Sequence, residues 1–327
     1  MIVVFDGACL GDGPITGVGR AFLNGLQAYV EAAADDCVLL VPRGAPSPPL
    51  DVRVVEAPRG ALQRQLALPR LLRQLGADVL HSSVAAVPLR APCPTIATVH
   101  DLPWLHAGLG EPSTGWRRFA TTRALRAASA VLAPSRFTLA DAARLLGCSD
   151  TLHLVPHGTP RADDVPIDAR TGPLLVLGDD RPRKNRERVR RAHVEAAARD
   201  PRLPALRFVG PPDAWVDEAA KRYLLRSCFA IVQGSWFEGF GMPVLEAMAH
   251  AAPIACSDIA PFREVAGEAA VFFDPHDVAS IASALLRLTD RSLRERLAGQ
   301  GWQRAASFSP QRTAASWRSL HERLVAR

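Results

Sequence analysis

With 327 residues, 48% of them hydrophobic and 22% charged, the chain is long enough for two domains with separate cores and too ordinary in composition for disorder. Its six cysteines (Cys9, Cys37, Cys93, Cys148, Cys228 and Cys256) are scattered and form no CxxC pair, which argues for reduced thiols and against a disulfide framework or zinc site. The net charge of +6 is uneven, concentrated where Arg181, Arg183, Lys184, Arg186, Arg188, Arg190 and Arg191 crowd one stretch.

In the first half, apolar runs near 1–6, 37–42, 52–56, 78–82, 94–99, 129–134 and 152–156 read as strands. Helical patterns near 18–34, 61–75, 115–128 and 135–146 alternate with them, the signature of a parallel α/β sheet. The last helix is punctuated by Ser135 as N-cap and Gly147 just past its end. Residues 158–172 are polar, rich in Pro and Gly and without periodicity, which marks a linker. A second series begins at 173–178, with further strands near 204–210, 228–233, 253–257 and 269–273. Helical patterns at 276–290, 292–307 and 310–327 close the chain. Two doubly wound domains facing across a cleft are expected: 1–165, with the 310–327 helix packing back onto it, and 171–309. No run approaches about 18 uninterrupted apolar residues, and Met1–Asp6 reads as a strand start rather than a signal peptide. A cytoplasmic protein is expected.

Ligands of such sheets bind at the carboxyl ends of strands, and the notable residues cluster there. Gly17-Val18-Gly19-Arg20 opens a helix after the first strand. Its amides could hold a phosphate, or it is a plain helix start, since Phe22 stands where the third glycine of G-x-G-x-x-G would be. His100-Asp101 ends the strand Thr95–Val99. There a histidine can hydrogen-bond a sugar hydroxyl, with Asp101 fixing its tautomer, although a lone loop histidine is more often satisfied by its neighbours.

Arg183-Lys184-Asn185 lies between the Gly178 turn and a helix start, where two cations suit a diphosphate. Arg186, Arg188, Arg190 and Arg191 read instead as a solvated basic face. The segment Glu238-Gly239-Phe240-Gly241-Met242-Pro243-Val244-Leu245-Glu246 places two carboxylates around a glycine-rich turn that runs into a helix. Amides around the turn suit phosphate and carboxylates suit hydroxyls, a pairing that fits a sugar nucleotide.

Nucleic acid is not the expected partner, because no helix-turn-helix, zinc or RNP pattern accompanies the charge. There is no D-x-D pair, no P-loop and no histidine pair with metal-ligand spacing, so no metal site is assigned. The amphipathic stretch Arg64–Arg73 could lie on an anionic bilayer, but a core-packed helix with solvated arginines is the commoner use of such a stripe. Trp116-Arg117-Arg118 is a weaker pattern of the same kind.

Taken in order, Gly17–Arg20, Val99–Asp101, Ala133–Ser135, Val155–Gly158, Pro182–Asn185, Ser235–Met248 and Pro261–Gly267 resemble the family-4 retaining glycosyltransferases of the GT-B fold. The Glu-x7-Glu core is the most specific of these matches. The resemblance implies that Glu246 binds the donor ribose and Glu238 the transferred sugar. It implies that Arg183 and Lys184, with amides of Gly239, Phe240, Gly241 and Met242, hold the diphosphate. His100 would touch the sugar, and Gly17 and Gly19 would border the donor phosphate or the acceptor. His100, Glu238, Arg183 and Lys184 are therefore the candidate catalytic group.

The Pro-Arg-Lys-Asn form is similar to bacterial enzymes that add mannose to cell-surface polysaccharides. The implied donor is a nucleoside-diphosphate sugar such as GDP-mannose, used without metal or cofactor. The implied acceptor is a lipid-linked saccharide, reached with peripheral membrane contact. Two features depart from the family. Asp179 stands where many relatives have a second phosphate-binding arginine. About 18 residues separate Gly210 from Phe229, where the family usually fits an extra strand and helix that help contact the base. A non-catalytic sugar-nucleotide-binding or scaffold subunit of a polysaccharide assembly complex is the alternative these departures suggest; a sugar-nucleotide epimerase is a third reading, against which the Pro-Arg-Lys-Asn and Glu-x7-Glu spacings argue.

Overall fold

The computed structural model describes residues 1–327 except 12, 14, 33–34, 110–113, 148–149, 164, 166–169, 214–215 and 327, so Cys148 and part of the 158–172 segment lie outside the described residues. In chain order the elements begin with β1 (Ile2–Asp6), α1 (Gly17–Ala32), β2 (Asp36–Pro42), β3 (Arg53–Ala57), α2 (Ala61–Leu66), α3 (Leu68–Leu75), β4 (Val79–Ser82) and β5 (Thr95–Thr98). Next come α4 (Gly115–Ala127), β6 (Ala130–Ala133), α5 (Arg136–Leu146), β7 (Leu152–Leu154), β8 (Leu174–Leu177), α6 (Arg186–Arg199) and β9 (Leu206–Val209). The series continues with α7 (Glu218–Ser227), β10 (Ala230–Gln233), α8 (Met242–Ala249), β11 (Ile254–Ser257), α9 (Ala260–Ala266) and β12 (Val271–Phe273). It ends with α10 (Val278–Arg287), α11 (Arg291–Ala305) and α12 (Pro310–Val325).

The chain divides into two compact units. One comprises Met1–Leu105, Pro112–Gly158 and Pro310–Arg327; the other comprises His106–Glu111 and Thr159–Ser309. The first holds a seven-stranded sheet in the order β3-β2-β1-β4-β5-β6-β7, the second a five-stranded sheet in the order β12-β11-β10-β8-β9. Each described strand pairing is parallel, which requires crossover helices and buries the strands on both faces. This is why β5, β6, β8, β10 and β11 are buried at every position and why β6 and β8 appear in the sequence as continuous apolar runs. Strand order reverses between β1 and β4 in the first sheet and between β8 and β10 in the second. Such switch points open a crevice at the strands' carboxyl ends.

The expected helix over 61–75 is two helices, because Pro69 has no N–H to give Gln65 and its ring crowds that carbonyl. Leu68 and Leu72 turn into the core, while Leu62 and Leu66 of α2 remain exposed. Helix α5 has the punctuation its sequence predicts: Ser135 accepts from the Thr138 amide at 3.0 Å and Gly147 caps at φ 72°.

In the first unit, α12 packs along α1, and Gly25 makes the close approach possible. A Cβ there would lie 2.5 Å from the Trp317 ring. Beneath this contact runs a buried polar chain. The Tyr29 hydroxyl donates to Asp35 at 2.9 Å and receives His321 Nδ1 at 3.1 Å, and His321 Nε2 in turn meets His81 Nδ1 at 3.0 Å. With Tyr29 committed as donor to Asp35, its oxygen accepts from His321, so His321 Nδ1 carries a proton.

Burial holds the His321 pKa down to about 4, and burial followed by the neighbouring His321 holds His81 well below its usual value. An unfolded chain would protonate His321 near pH 6.5. Stability conferred by the neutral ring is therefore complete above about pH 6.5 and lost as pH falls toward 4, by about 3 kcal/mol. Urea midpoints measured from pH 7 to pH 4 should fall steeply in the wild type. The slope should be smaller in His321→Gln.

Candidate active site

At the switch point of the second sheet, the segment after β8 meets the segment after β10. A single 3-10 turn, Pro182–Lys184, carries both cations, and Asn185 closes it in the left-handed region at φ 56°. Asparagine tolerates that conformation, and here its side-chain amide donates to the carbonyls of Gly234 at 3.0 Å and Pro275 at 2.8 Å. The Trp236 amide donates to the Arg183 carbonyl at 2.8 Å, so the two segments are fixed by backbone as well as side chain.

Glu238 lies at the centre of this junction. Lys184 Nζ stands 2.6 Å from Oε1, which also accepts from Ser235 Oγ at 2.7 Å. Arg183 Nη1 reaches Oε2 at 3.4 Å and donates to the Phe237 carbonyl at 3.0 Å. Burial pushes the Glu238 carboxyl up, but Lys184 and Arg183 outweigh it, and the net position is below the usual carboxylate range. The group is therefore an anion, held in a fixed orientation by donors on both oxygens. Arg183 itself is almost fully enclosed.

Helix α8 follows. Gly241 is its N-cap residue at φ 111°, a conformation only glycine adopts easily, and a Cβ there would lie 2.8 Å from the Phe262 ring. Pro243 sits in the first turn, and Glu246 comes one turn later on the same buried helix. Lys221 Nζ of α7 stands 2.5 Å from Glu246 Oε1, with both side chains nearly buried. Phe240 packs edge-on to Phe308, with centroids 5.9 Å apart, and Met242 is buried beside the turn. The structure thus brings Arg183, Lys184, Glu238, Gly239, Phe240, Gly241, Met242 and Glu246 into one loop-and-helix neighbourhood.

Ser235 and Lys221 are the partners that spacing alone did not single out. Ser235 lies three residues before Glu238 on the same turn and could have been noticed. Lys221 is one basic residue in a mixed helix and carries no local signal. Arg186 corrects an expectation: it belongs to no solvated face, being buried, stacked over Phe208 at 4.3 Å and ion-paired with Asp213. Asp179 is tied to Arg181 at 2.8 Å, and although partial burial raises its carboxyl, the Arg181 contacts bring it below the usual range. The turn after β8 therefore carries an anion paired with Arg181.

The switch point of the first sheet is polar as well. Asp6 ends β1 and Ser82 ends β4, register partners across the reversal. Asp6 is buried in an ion pair with Arg64 of α2 and accepts from Ser82 Oγ at 3.3 Å. Burial raises its carboxyl despite the Arg64 charge. Gly17 is the exposed first residue of α1, and the Gly19 amide donates to Thr16 Oγ1 at 3.2 Å, a side-chain cap.

His100 does not take its tautomer from Asp101. Its Nε2 lies 2.7 Å from the Ser83 carbonyl, which can only accept, and its Nδ1 lies 3.1 Å from His157 Nε2. Burial lowers the His100 pKa.

Residues 15–162 match the family model described as Glycosyltransferase Family 4, and residues 163–291 match that described as Glycosyl transferases group 1. The chain belongs to the family-4 glycosyltransferases and has their GT-B fold of two Rossmann-like domains. It is 36% identical over 105 residues to the O-antigen chain mannosyltransferase B of Escherichia coli. It is 39% identical over 110 residues to the MMP alpha-(1->4)-mannosyltransferase of Mycolicibacterium hassiacum. Each match covers 32% of this chain and 26% of the relative. Over whole chains, the fold is similar to sucrose-phosphate synthase of Thermosynechococcus elongatus, with a TM-score of 0.77, 18% identity and 99% of each chain covered. It is likewise similar to WaaG, a glycosyltransferase involved in lipopolysaccharide biosynthesis, with a TM-score of 0.76, 14% identity, and 97% of this chain and 99% of that one covered.

Proposed function

We propose that the chain is a metal-independent, retaining hexosyltransferase that moves mannose from GDP-mannose to a lipid-linked saccharide in cell-surface polysaccharide synthesis. The observation that carries this reading is the buried Glu238 carboxylate, oriented by Lys184, Arg183 and Ser235, with Glu246 following on α8. A carboxylate offers only acceptors and suits the hydroxyls of a hexose, while the Lys184 ammonium has three donors and spends one on Glu238.

Cleavage of the anomeric carbon–phosphate oxygen bond leaves charge on the departing diphosphate, which the adjacent cations stabilise. The acceptor hydroxyl attacks from the face the diphosphate leaves and gives its proton to the departing oxygen, so the anomeric configuration is kept. Glu246 takes the ribose hydroxyls, and Lys221 keeps that carboxylate neutralised until they arrive. The mannosyltransferase names among the relatives support the choice of sugar. Incubation of the folded protein with GDP- and UDP-sugars and a lipid-linked acceptor tests the reading. GDP-mannose should be consumed, and consumption of no donor would defeat it.

A second reading, binding without turnover, is favoured by the short segment between β9 and β10. Among the described residues that segment holds α7 alone. Asp179 weighs the same way. A thermal shift with GDP but no turnover with any donor would support this reading. GDP-dependent turnover that Glu238→Ala abolishes would remove it.

Peripheral contact with an anionic membrane is part of the first reading. Leu62 and Leu66 stand one turn apart on α2 at 73% and 60% exposure, followed by exposed Arg70 and Arg73 on α3. Apolar side chains flanked by cations suit an anionic headgroup layer. The protein should float with phosphatidylglycerol vesicles at low salt. Leu62→Glu/Leu66→Glu should remain in the unbound fraction, and equal flotation of the variant would contradict the assignment.

A further inference from the structure

The candidate residue His100 is one half of a pair that its own motif does not reveal. Its ring lies against that of His157, with centroids 5.1 Å apart and planes 29° from parallel. His157 comes from the Val155-Pro156-His157-Gly158 segment after β7, while His100 ends the β5 segment. The Ser83 carbonyl accepts from His100 Nε2 at 2.7 Å, so that nitrogen carries the proton, and in the neutral ring that burial favours Nδ1 presents a lone pair. His157 Nε2, 3.1 Å away, must then be the donor to Nδ1.

Ser83 is itself fixed. Its amide donates to the Asp6 carbonyl at 2.9 Å, and its hydroxyl accepts from the Cys9 amide at 3.1 Å. The His100 carbonyl accepts from Thr138 Oγ1 at 3.3 Å. The imidazole is therefore held on both nitrogens and at its backbone, by groups on three separate segments.

We propose that His157 is a positioning residue for His100: with the Ser83 carbonyl holding the proton on Nε2, His157 donates to Nδ1, keeps that nitrogen an acceptor and fixes the ring's orientation. The longer of the two ring contacts is the one to His157, so Nδ1 is the position at which a substrate hydroxyl can exchange for an internal donor. A hydroxyl of the transferred sugar or of the acceptor would there donate to His100 rather than accept from it. The functional part of this inference rests on the transferase reading, whereas the tautomer does not.

Two measurements on the full chain separate them. Long-range proton–nitrogen correlation spectra of histidine-labelled protein should show His100 protonated at Nε2 in the wild type. In His157→Phe the Nδ1 resonance should shift, and in His157→Gln, whose amide can still donate, it should stay near the wild-type position. Transfer from GDP-mannose should fall in His157→Phe on the order of 10²-fold in kcat, the scale of a misplaced catalytic group. Its KM for donor should change little, and His157→Gln should recover most of the rate. A wild-type His100 protonated at Nδ1, or an Nδ1 resonance unmoved by His157→Phe, would overturn the proposal whether or not the protein turns over any donor. Equal kcat in His157→Phe and wild type would overturn its functional part. Failure of the wild type to consume donor while the spectra behave as expected would instead count against the transferase reading.

Discussion

Glu238→Gln should lower transfer from GDP-mannose by about 10²–10³-fold, the usual cost of removing one oriented electrostatic contact from a transition state. The substitution keeps the shape of the side chain but discards the charge that both Lys184 and Arg183 face. Two effects then coincide. The sugar loses its charged acceptor, and the cations are left in a buried site without their anion, which perturbs the place where the diphosphate must sit. The loss should appear mainly in kcat, because the contact strengthens as the sugar acquires positive character. A thermal melt must accompany the assay, and a folded variant with unchanged kcat would remove Glu238 from the chemistry.

Asp6→Ala should cost the first unit about 3 kcal/mol, read as a lower urea midpoint. Burial raises the Asp6 carboxyl even with Arg64 beside it, so taking these charges out of water outweighs their attraction. The pair is not a source of stability, yet removing one member is worse than keeping both, because the Arg64 guanidinium remains enclosed at the end of β1 without compensation. Asp6→Leu/Arg64→Met should therefore recover most of the loss. A double variant as unstable as Asp6→Ala would show that the pair is needed for its hydrogen bonding to Ser82 rather than for mutual neutralisation.

What could be read in the sequence follows from the range over which each feature is determined. Parallel strands buried on both faces must be largely apolar, and so Thr95–Val99 and Leu174–Leu177 announce themselves. The fold class follows from their alternation with helices. The break between α2 and α3 was also written in the sequence, since Pro69 cannot continue a helix, but the amphipathic stripe through Arg64–Arg73 outweighed it. Glu238 and Glu246 were legible because glycine, proline and two acids within nine positions constrain one another locally.

Their partners were not. Lys221, His157 and the Ser83 carbonyl act through contacts made by the sheet topology, which joins segments far apart in the chain. Asp101, next to His100 in sequence, is the partner that adjacency suggests, but the carbonyl of Ser83, just past β4, takes the Nε2 proton at 2.7 Å. Arg186 was hidden in a run of arginines. As the first residue of α6 it faces Phe208 of β9, and a charge run read as a solvated face conceals this buried member.

The anomeric configuration of the product formed from GDP-mannose tests the central claim most directly. Proton NMR of the purified product should show an α-linked mannose, the configuration of the donor, with product from Glu238→Gln formed about 10²–10³-fold more slowly. A β-linked product, or a folded wild-type protein that forms none, would contradict the account.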